Sequence, residues 1–435
     1  MTAAPARLCQ RDWIRQLATG AEALFVPLGH VVRPPGPVIA PDDPSTLFAT
    51  AGIQLWRSWV LANDSASEAG RIGVQWCVRM NSLDRIGKTN FLTGFCMLSI
   101  LTRGKQPREQ AISRWLTVLT EHWGLPLDRL GFVATGTGPL APEDTASLDA
   151  LGRLGIKPDH VAVRPRKWVF PFKPDGPTGP ELFVLVDHRG SVCGPGCGPL
   201  CACGRYLHFW NLEFLDHRRL PASQGSEAVP ADEPYLDSAG SLEWAAAAVS
   251  GSTDVYAAAL ADIVELWRAE IAVKEAAQLL ADHTRTLALL LGSGVLPGPR
   301  RHGHVVRRLV RRALALLLRH DRSPSALGRA IRTVGDAYQY HPGFTPPRAD
   351  TEEIIDREAE ALMALISVTR RRFERLLNGG KELSPVALFE LHAVHGLPWE
   401  LVELWVKQAG ASVDNEQLGL LRKQDRATAR GRYEG

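Results

Sequence analysis

Two apolar stretches flanking a polar loop constrain this chain more than any other feature: Gly73–Arg79, then Met80–Asn90, then Phe91–Leu98. Each stretch is too short for an independent helix and long enough for a strand, and the loop can turn the chain back beside itself. The pair predicts two antiparallel strands. Further strand-length runs at Gly131–Thr135, His160–Arg164, Leu182–Val186 and Tyr206–Phe214 call for a sheet larger than a hairpin. Helical spacing marks residues 10–24, where Trp13, Ile14, Leu17, Ala21 and Leu24 share a face, and Arg108–His122 after Pro107. The Pro-rich Val32–Pro44 reads as extended chain or loop. Ser45–Leu61 reads as a strand turning at Ala51-Gly52 into a helix, and Ala222–Pro234 as a polar linker.

The pattern changes near Leu242. Helical spacing then runs through Thr253–Leu291, His304–His320, Thr351–Leu377, Pro385–Leu391 and Trp399–Gln408. In Thr351–Leu377 the acids come early (Glu352, Glu353, Asp356) and the arginines late (Arg370, Arg371, Arg372, Arg375), which suits the helix dipole. The expected fold class is therefore α+β: an antiparallel sheet with flanking helices, followed by an all-α region. The expected divisions are residues 1–245, residues 246–422, and a polar, frayed tail at 423–435. No internal repeat is evident.

Composition narrows the class of protein. A chain of 435 residues with 45% hydrophobic and 22% charged content can bury two or three cores. No apolar run approaches a membrane span, and the N-terminus lacks the apolar core of a secretory signal, so a cytoplasmic protein is expected. A net charge of +3 announces no polyanion partner, but arginines cluster at 300–322 and 370–375. Cys193, Cys197, Cys201 and Cys203 fall within eleven residues. Four thiols so close suit a tetrahedral structural Zn²⁺ better than a disulfide scaffold, with free thiols as the alternative. The expected role of such a site is to rigidify a loop beside the active site.

Several stretches resemble one known family. LFATAGIQLW (47–56) is similar to a first class II motif, Leu-Phe-x-x-Ala-Gly-Met-x-x-Phe. LDSAGSLEW (236–244) is similar to a third motif, Val-Asp-x-Gly-x-Gly-Leu-Glu-Arg, and Trp76–Leu98 occupies the place of the second. ADHTR (281–285), GHVVRRLVRRAL (303–314) and LFELHAVHGLPWEL (388–401) match further signatures in order. Together they resemble alanyl-tRNA synthetase, a class II aminoacyl-tRNA synthetase, from about Arg11 to about Gly410. The resemblance implies a class II catalytic domain followed by a helical tRNA-binding region.

The resemblance also implies site residues. Asp237 falls where the family binds the substrate's α-amino group, and Trp168, Asn211 and Ala239 fall around its aminoacyl pocket. Glu213 replaces a small apolar residue of that pocket. On the nucleotide side, Asn90 stands in place of the arginine that holds the ATP α-phosphate, and Trp244 in place of the arginine that reaches the terminal phosphate. Phe91, Leu92 and Cys96 replace a histidine pair and a glutamate, and the preceding loop is about four residues short. Phe95 keeps an aromatic position, and Arg79, Arg85 and Arg103 are the nearby cations that can compensate. Arg307, Arg308, Arg311 and Arg312 form a basic stripe expected to face the tRNA acceptor stem. No general base is evident, with His208, His217 and His283 as candidates.

Metal ions and arginine clamps are what stabilise phosphoryl-type charge. Loss of both arginines therefore predicts loss of ATP activation. The expected activity is transfer of an alanyl group from alanyl-tRNA to a small acceptor such as a nucleoside sulfamate, in secondary metabolism. The rival expectations are a divergent ATP-dependent synthetase or amino-acid ligase, and a non-catalytic tRNA-binding protein.

Overall fold

The computed structural model describes residues 12–39, 46–61, 68–80, 83–138, 143–165, 176–219, 228–380 and 382–433, with side chains to residue 424. Nine strands form the main sheet: β1 (His30–Val32), β2 (Gly70–Val78), β3 (Gly94–Arg103), β4 (Leu130–Gly136), β5 (Val161–Pro165), β6 (Pro177–Thr178), β7 (Glu181–Asp187), β8 (Tyr206–Arg219) and β9 (Ala228–Ser241). Their order is β1-β2-β3-β9-β8-β7-β4-β5, with β6 beside β8. The expected strand pair around Met80–Asn90 is β2 and β3, in antiparallel register from Gly70↔Thr102 to Val78↔Gly94. Only the outer pairs, β1 with β2 and β4 with β5, are parallel.

Alternation along the strands divides the sheet into two faces. Trp76, Cys96, Leu98, Ile100, Leu182, Val184, Trp210 and Leu212 are buried on one face. The helices Trp13–Phe25, Arg108–Thr117, Leu242–Ser250 and Lys274–Gly292 pack there. Trp210 stacks between Trp115 and Trp123 at ring distances of 4.6 and 5.2 Å, and its indole N–H reaches Ser238 Oγ at 2.9 Å. Gly240 is required beside it, because a Cβ there would lie 2.2 Å from the Trp210 ring.

One core runs without interruption from Trp13 to Leu362, so helices beyond residue 245 share it with the sheet. Helix Lys274–Gly292 is the junction. Asp282 accepts the backbone N–H of Thr93 at 2.7 Å, and Arg285 donates to the carbonyl of Gly94 at 2.6 Å. Arg285 also pairs at 2.9 Å with Glu243, whose carboxylate accepts the backbone N–H of Cys96. All these groups are buried, so each polar atom at the start of β3 must find a partner in the helices.

Several expectations change. The linker reading of Ala222–Pro234 gives way to β9 from Ala228 onward, because a polar run still makes a strand when a neighbour offers ladder partners, here the end of β8. Ser45–Leu61 holds no strand among its described residues: a 3₁₀ turn, Gly52–Trp56, leads into helix Arg57–Leu61. Thr253–Leu291 divides into Val255–Ala259, Ala261–Arg268 and Lys274–Gly292. Helix Asn415–Tyr433 extends into the polar tail. No helix among the described residues is long and apolar enough to cross a membrane.

Candidate active site

The other sheet face gathers the chemistry. Residues directly opposite on antiparallel strands share a face, as do residues two apart on one strand. The row Ser99–Ala239–Asn211–Phe183 crosses β3, β9, β8 and β7. The next row is Leu101–Asp237–Glu213–Glu181. Asn211, Glu213, Asp237 and Ala239 therefore lie side by side, as the sequence suggests, although they come from two strands. Trp168 lies outside the described residues. Glu181 was missed by sequence reasoning; the available signal is an acid opening the otherwise apolar run Leu182–Val186.

Charge is concentrated in the second row. Asp237 is 4% exposed and Glu181 3% exposed. Burial, with the negative charge of Glu181 added, pushes the Asp237 carboxyl up to about 7. Asp237 Oδ1 is buried without a hydrogen-bond partner. Such an atom demands a donor, and an ammonium supplies one together with the missing charge. At the other row, His208 Nε2 contacts both Asn211 Oδ1 and the carbonyl of Trp210, at 3.2 Å for the latter. Both are acceptors, so this nitrogen carries the proton and the Asn211 amide is held with its NH₂ turned away from His208. Phe183 packs edge-on against the same imidazole at 4.9 Å.

The remaining histidine candidates sit elsewhere. His217 bonds its neighbour Asp216 at 2.7 Å, and His283 is fully buried in helix Lys274–Gly292 against Asp282 at 2.9 Å. Burial lowers the basicity of His283, and its helix packs on the opposite sheet face.

The nucleotide-side candidates surround the β2–β3 turn. Asn90 is used structurally: its amide donates to the Thr253 carbonyl at 2.7 Å and accepts the Val255 N–H at 3.0 Å. Arg79 donates twice to the Thr50 carbonyl, at 2.9 and 2.6 Å, and lies 5.0 Å over the ring of Phe95. Trp244 meets Phe91 edge to face at 6.2 Å, and Arg85 covers Phe91 at 4.0 Å. Arg103 is committed to Glu233 at 3.0 Å. The position expected to hold an arginine is thus an indole wedged against a phenyl ring.

The basic stripe on helix Arg301–Arg319 faces inward more than the sequence suggests. Arg307 and Arg311 both pair with Glu358, at 3.0 and 3.7 Å, and Arg312 pairs with Glu400 at 2.6 Å while donating to the Leu83 carbonyl. Three of the four arginines expected to face RNA therefore tie this helix to its neighbours. The acids that accept them lie 51 and 88 residues downstream of Arg307 and Arg312, beyond the reach of local pattern reading. Arg308 also makes an interaction within the chain.

The four cysteines converge in the loop joining β7 to β8. Their sulfurs all lie within 4.8 Å of one another, with Cys193 and Cys201 3.5 Å apart and Cys197 and Cys203 3.9 Å apart. Tetrahedral bonds of about 2.3 Å set sulfurs about 3.8 Å apart, so the donor set fits a Zn²⁺-sized ion. Arg205 closes the loop base on Asp187 at 2.5 Å, and Asp187 Oδ1 accepts the N–H groups of Arg189 and Gly190. This cluster lies at the Asp187 end of β7, whereas the acid row lies at its Glu181 end, about 20 Å away at strand rise. It braces the hairpin tip and not the carboxylate row, which corrects the expected location beside the active site.

With this geometry in view, the likenesses to known proteins become specific. The family model for tRNA synthetases class II (A) matches residues 23–435. An alanine–tRNA ligase of Treponema denticola is 27% identical over 90% of this chain and 68% of its own length. Those of Rubrobacter xylanophilus and Sphingopyxis alaskensis are 28% and 29% identical, over 94% of this chain in both cases. Of their own lengths, 49% and 47% are covered, so the chain spans about half of these longer relatives. The solved apo histidyl-tRNA synthetase of S. aureus overlaps 55% of this chain and 66% of its own, at 12% identity and a TM-score of 0.37, too low to add to the assignment. The chain belongs to the class II (A) tRNA synthetase family.

Proposed function

We propose that this chain is an aminoacyl transferase of synthetase ancestry that has lost ATP activation. An aminoacyl-tRNA, alanyl-tRNA on the strength of its relatives, serves as donor, and its acyl group passes to a small acceptor in the former nucleotide site. A nucleoside sulfamate in secondary metabolism is one such acceptor. The observation that carries the reading is the pair Asn90 and Trp244. Asn90 is bonded at both ends to backbone, and Trp244, which the family resemblance aligns with a phosphate-clamping arginine, packs against the ring of Phe91. An aromatic wall suits a flat base, and catalysis would rest on positioning the ester against the acceptor. In this reading residues 1–245 hold the site and residues 246–422 the tRNA. Zn²⁺ on the four cysteines is structural, with Cys193, Cys197, Cys201 and Cys203 as ligands.

One observation favours a second reading. Arg85 over Phe91 and Arg79 over Phe95 keep two guanidinium groups beside the β2–β3 turn, which supports a divergent ATP-dependent ligase. Incubation of purified protein with labelled alanyl-tRNA and candidate nucleoside acceptors separates the possibilities. Transfer without ATP supports the transferase, and transfer only with ATP and free amino acid supports the ligase. Binding of tRNA without acyl movement leaves a non-catalytic binder.

A further inference from the structure

Arg371, Arg372 and Arg375 sit within about a third of the circumference of helix Thr351–Leu377, in its last turns, and all three are exposed. No carboxylate among the described residues pairs with any of them, whereas Arg370 beside them pairs with Glu374 at 3.2 Å. Arg372 and Arg375 flank a groove of about 240 Å³ against helix Pro385–Ala393, with Leu376, Ala387 and Leu391 between the two helices. The other rim carries Glu390 and His395. His395 Nε2 accepts a hydrogen bond from Arg372 at 2.6 Å, so the imidazole braces that guanidinium. Two guanidinium groups thus line the groove against one carboxylate, and Arg371 adds a third beside it. The groove also connects to the site. Gly396, next to His395, abuts helix Arg301–Arg319, since a Cβ there would lie 3.5 Å from Arg311 Nη1. Just beyond, Glu400 holds Arg312, which donates to the Leu83 carbonyl between β2 and β3.

We propose that this groove, and not the arginine stripe of helix Arg301–Arg319, holds the phosphodiester backbone of the donor RNA, with Arg371, Arg372 and Arg375 on its phosphates. A guanidinium fork matches phosphate oxygens, and an arginine with no carboxylate to give up makes that contact at little cost. Arg307, Arg311 and Arg312 would each have to leave an acid that the fold buries or half-buries. Contacts of this kind fix the register of the RNA without reading its bases. The link through Gly396 and Glu400 sets that register relative to the β2–β3 turn. This inference rests on the reading of an aminoacyl-tRNA as donor.

Fluorescence anisotropy of a labelled alanine-tRNA transcript, titrated between about 50 and 200 mM salt, tests it. Arg371→Gln/Arg375→Gln is expected to weaken binding by about tenfold or more and to make the plot of log affinity against log salt shallower by about two, one for each lost phosphate contact. Arg348→Gln, which removes an exposed arginine from another part of the chain, is expected to change neither. Both changes are on the surface, and circular dichroism with thermal melting confirms that the variants fold. An affinity and slope unchanged in the double variant, or an equal loss in Arg348→Gln, overturns the groove while leaving the tRNA reading intact. Unaltered protein that binds no transcript overturns both.

Discussion

Asp237 shows how a single side chain can be kept at a cost to the fold. Its carboxyl is held up to about 7 by burial and by Glu181, so the folded chain binds this proton more tightly than the unfolded chain does. Between the ordinary carboxylate value of 3.8 and about 7 the native state therefore carries the extra proton, and stability falls as pH rises through that window. Asp237→Asn removes the penalty. It is expected to raise the melting temperature at pH 8 by about 2 °C or more, to lose that advantage near pH 4, and to abolish binding of L-alaninamide, which carries the α-ammonium. An unchanged or lower melting temperature at pH 8 would mean that Asp237 already has a cation. His208 acts at the same scale by fixing the Asn211 amide. His208→Ala is expected to lower kcat for acyl transfer while His208→Asn, which keeps a donor, recovers part of it; equal losses in both would remove the positioning role.

At the scale of elements, helix Lys274–Gly292 is the strut between sheet and helices. Arg285→Met leaves the Glu243 carboxylate buried and unpaired, and urea unfolding is expected to show a loss of about 3–5 kcal/mol. Arg307→Ala leaves buried Glu358 with Arg311 alone, a smaller loss, and it is expected to lower stability without altering the salt dependence of tRNA binding. A shallower salt slope in that variant would return Arg307 to the RNA surface. These elements also show what the sequence could reveal. Strands β2, β3, β7 and β8 were legible because their apolar runs are short and bounded. The polar start of β9 was not, because its strand form comes from the ladder with the end of β8 and not from an apolar run of its own. The arginine stripe was legible as a stripe, whereas its direction depends on Glu358 and Glu400 on later elements.

Across the whole molecule, one core joins the sheet to the helices past residue 245, and the loop from β7 to β8 carries the four-cysteine cluster at its tip. Metal analysis of protein purified without added chelator is expected to find about one Zn²⁺ per chain, and stripping it is expected to lower the melting temperature while leaving L-alaninamide binding nearly unchanged, given the distance along β7. The four acid-row and pocket residues on β8 and β9 were legible as a set through family resemblance, but Glu181 entered only when three strands were laid side by side. The central claim is that the phosphate clamp is gone: Trp244 meets Phe91, and Asn90 bonds the backbone of Thr253 and Val255. Alanine-dependent ATP–pyrophosphate exchange tests it most directly. No exchange above background is predicted, and robust exchange would contradict the loss of the clamp.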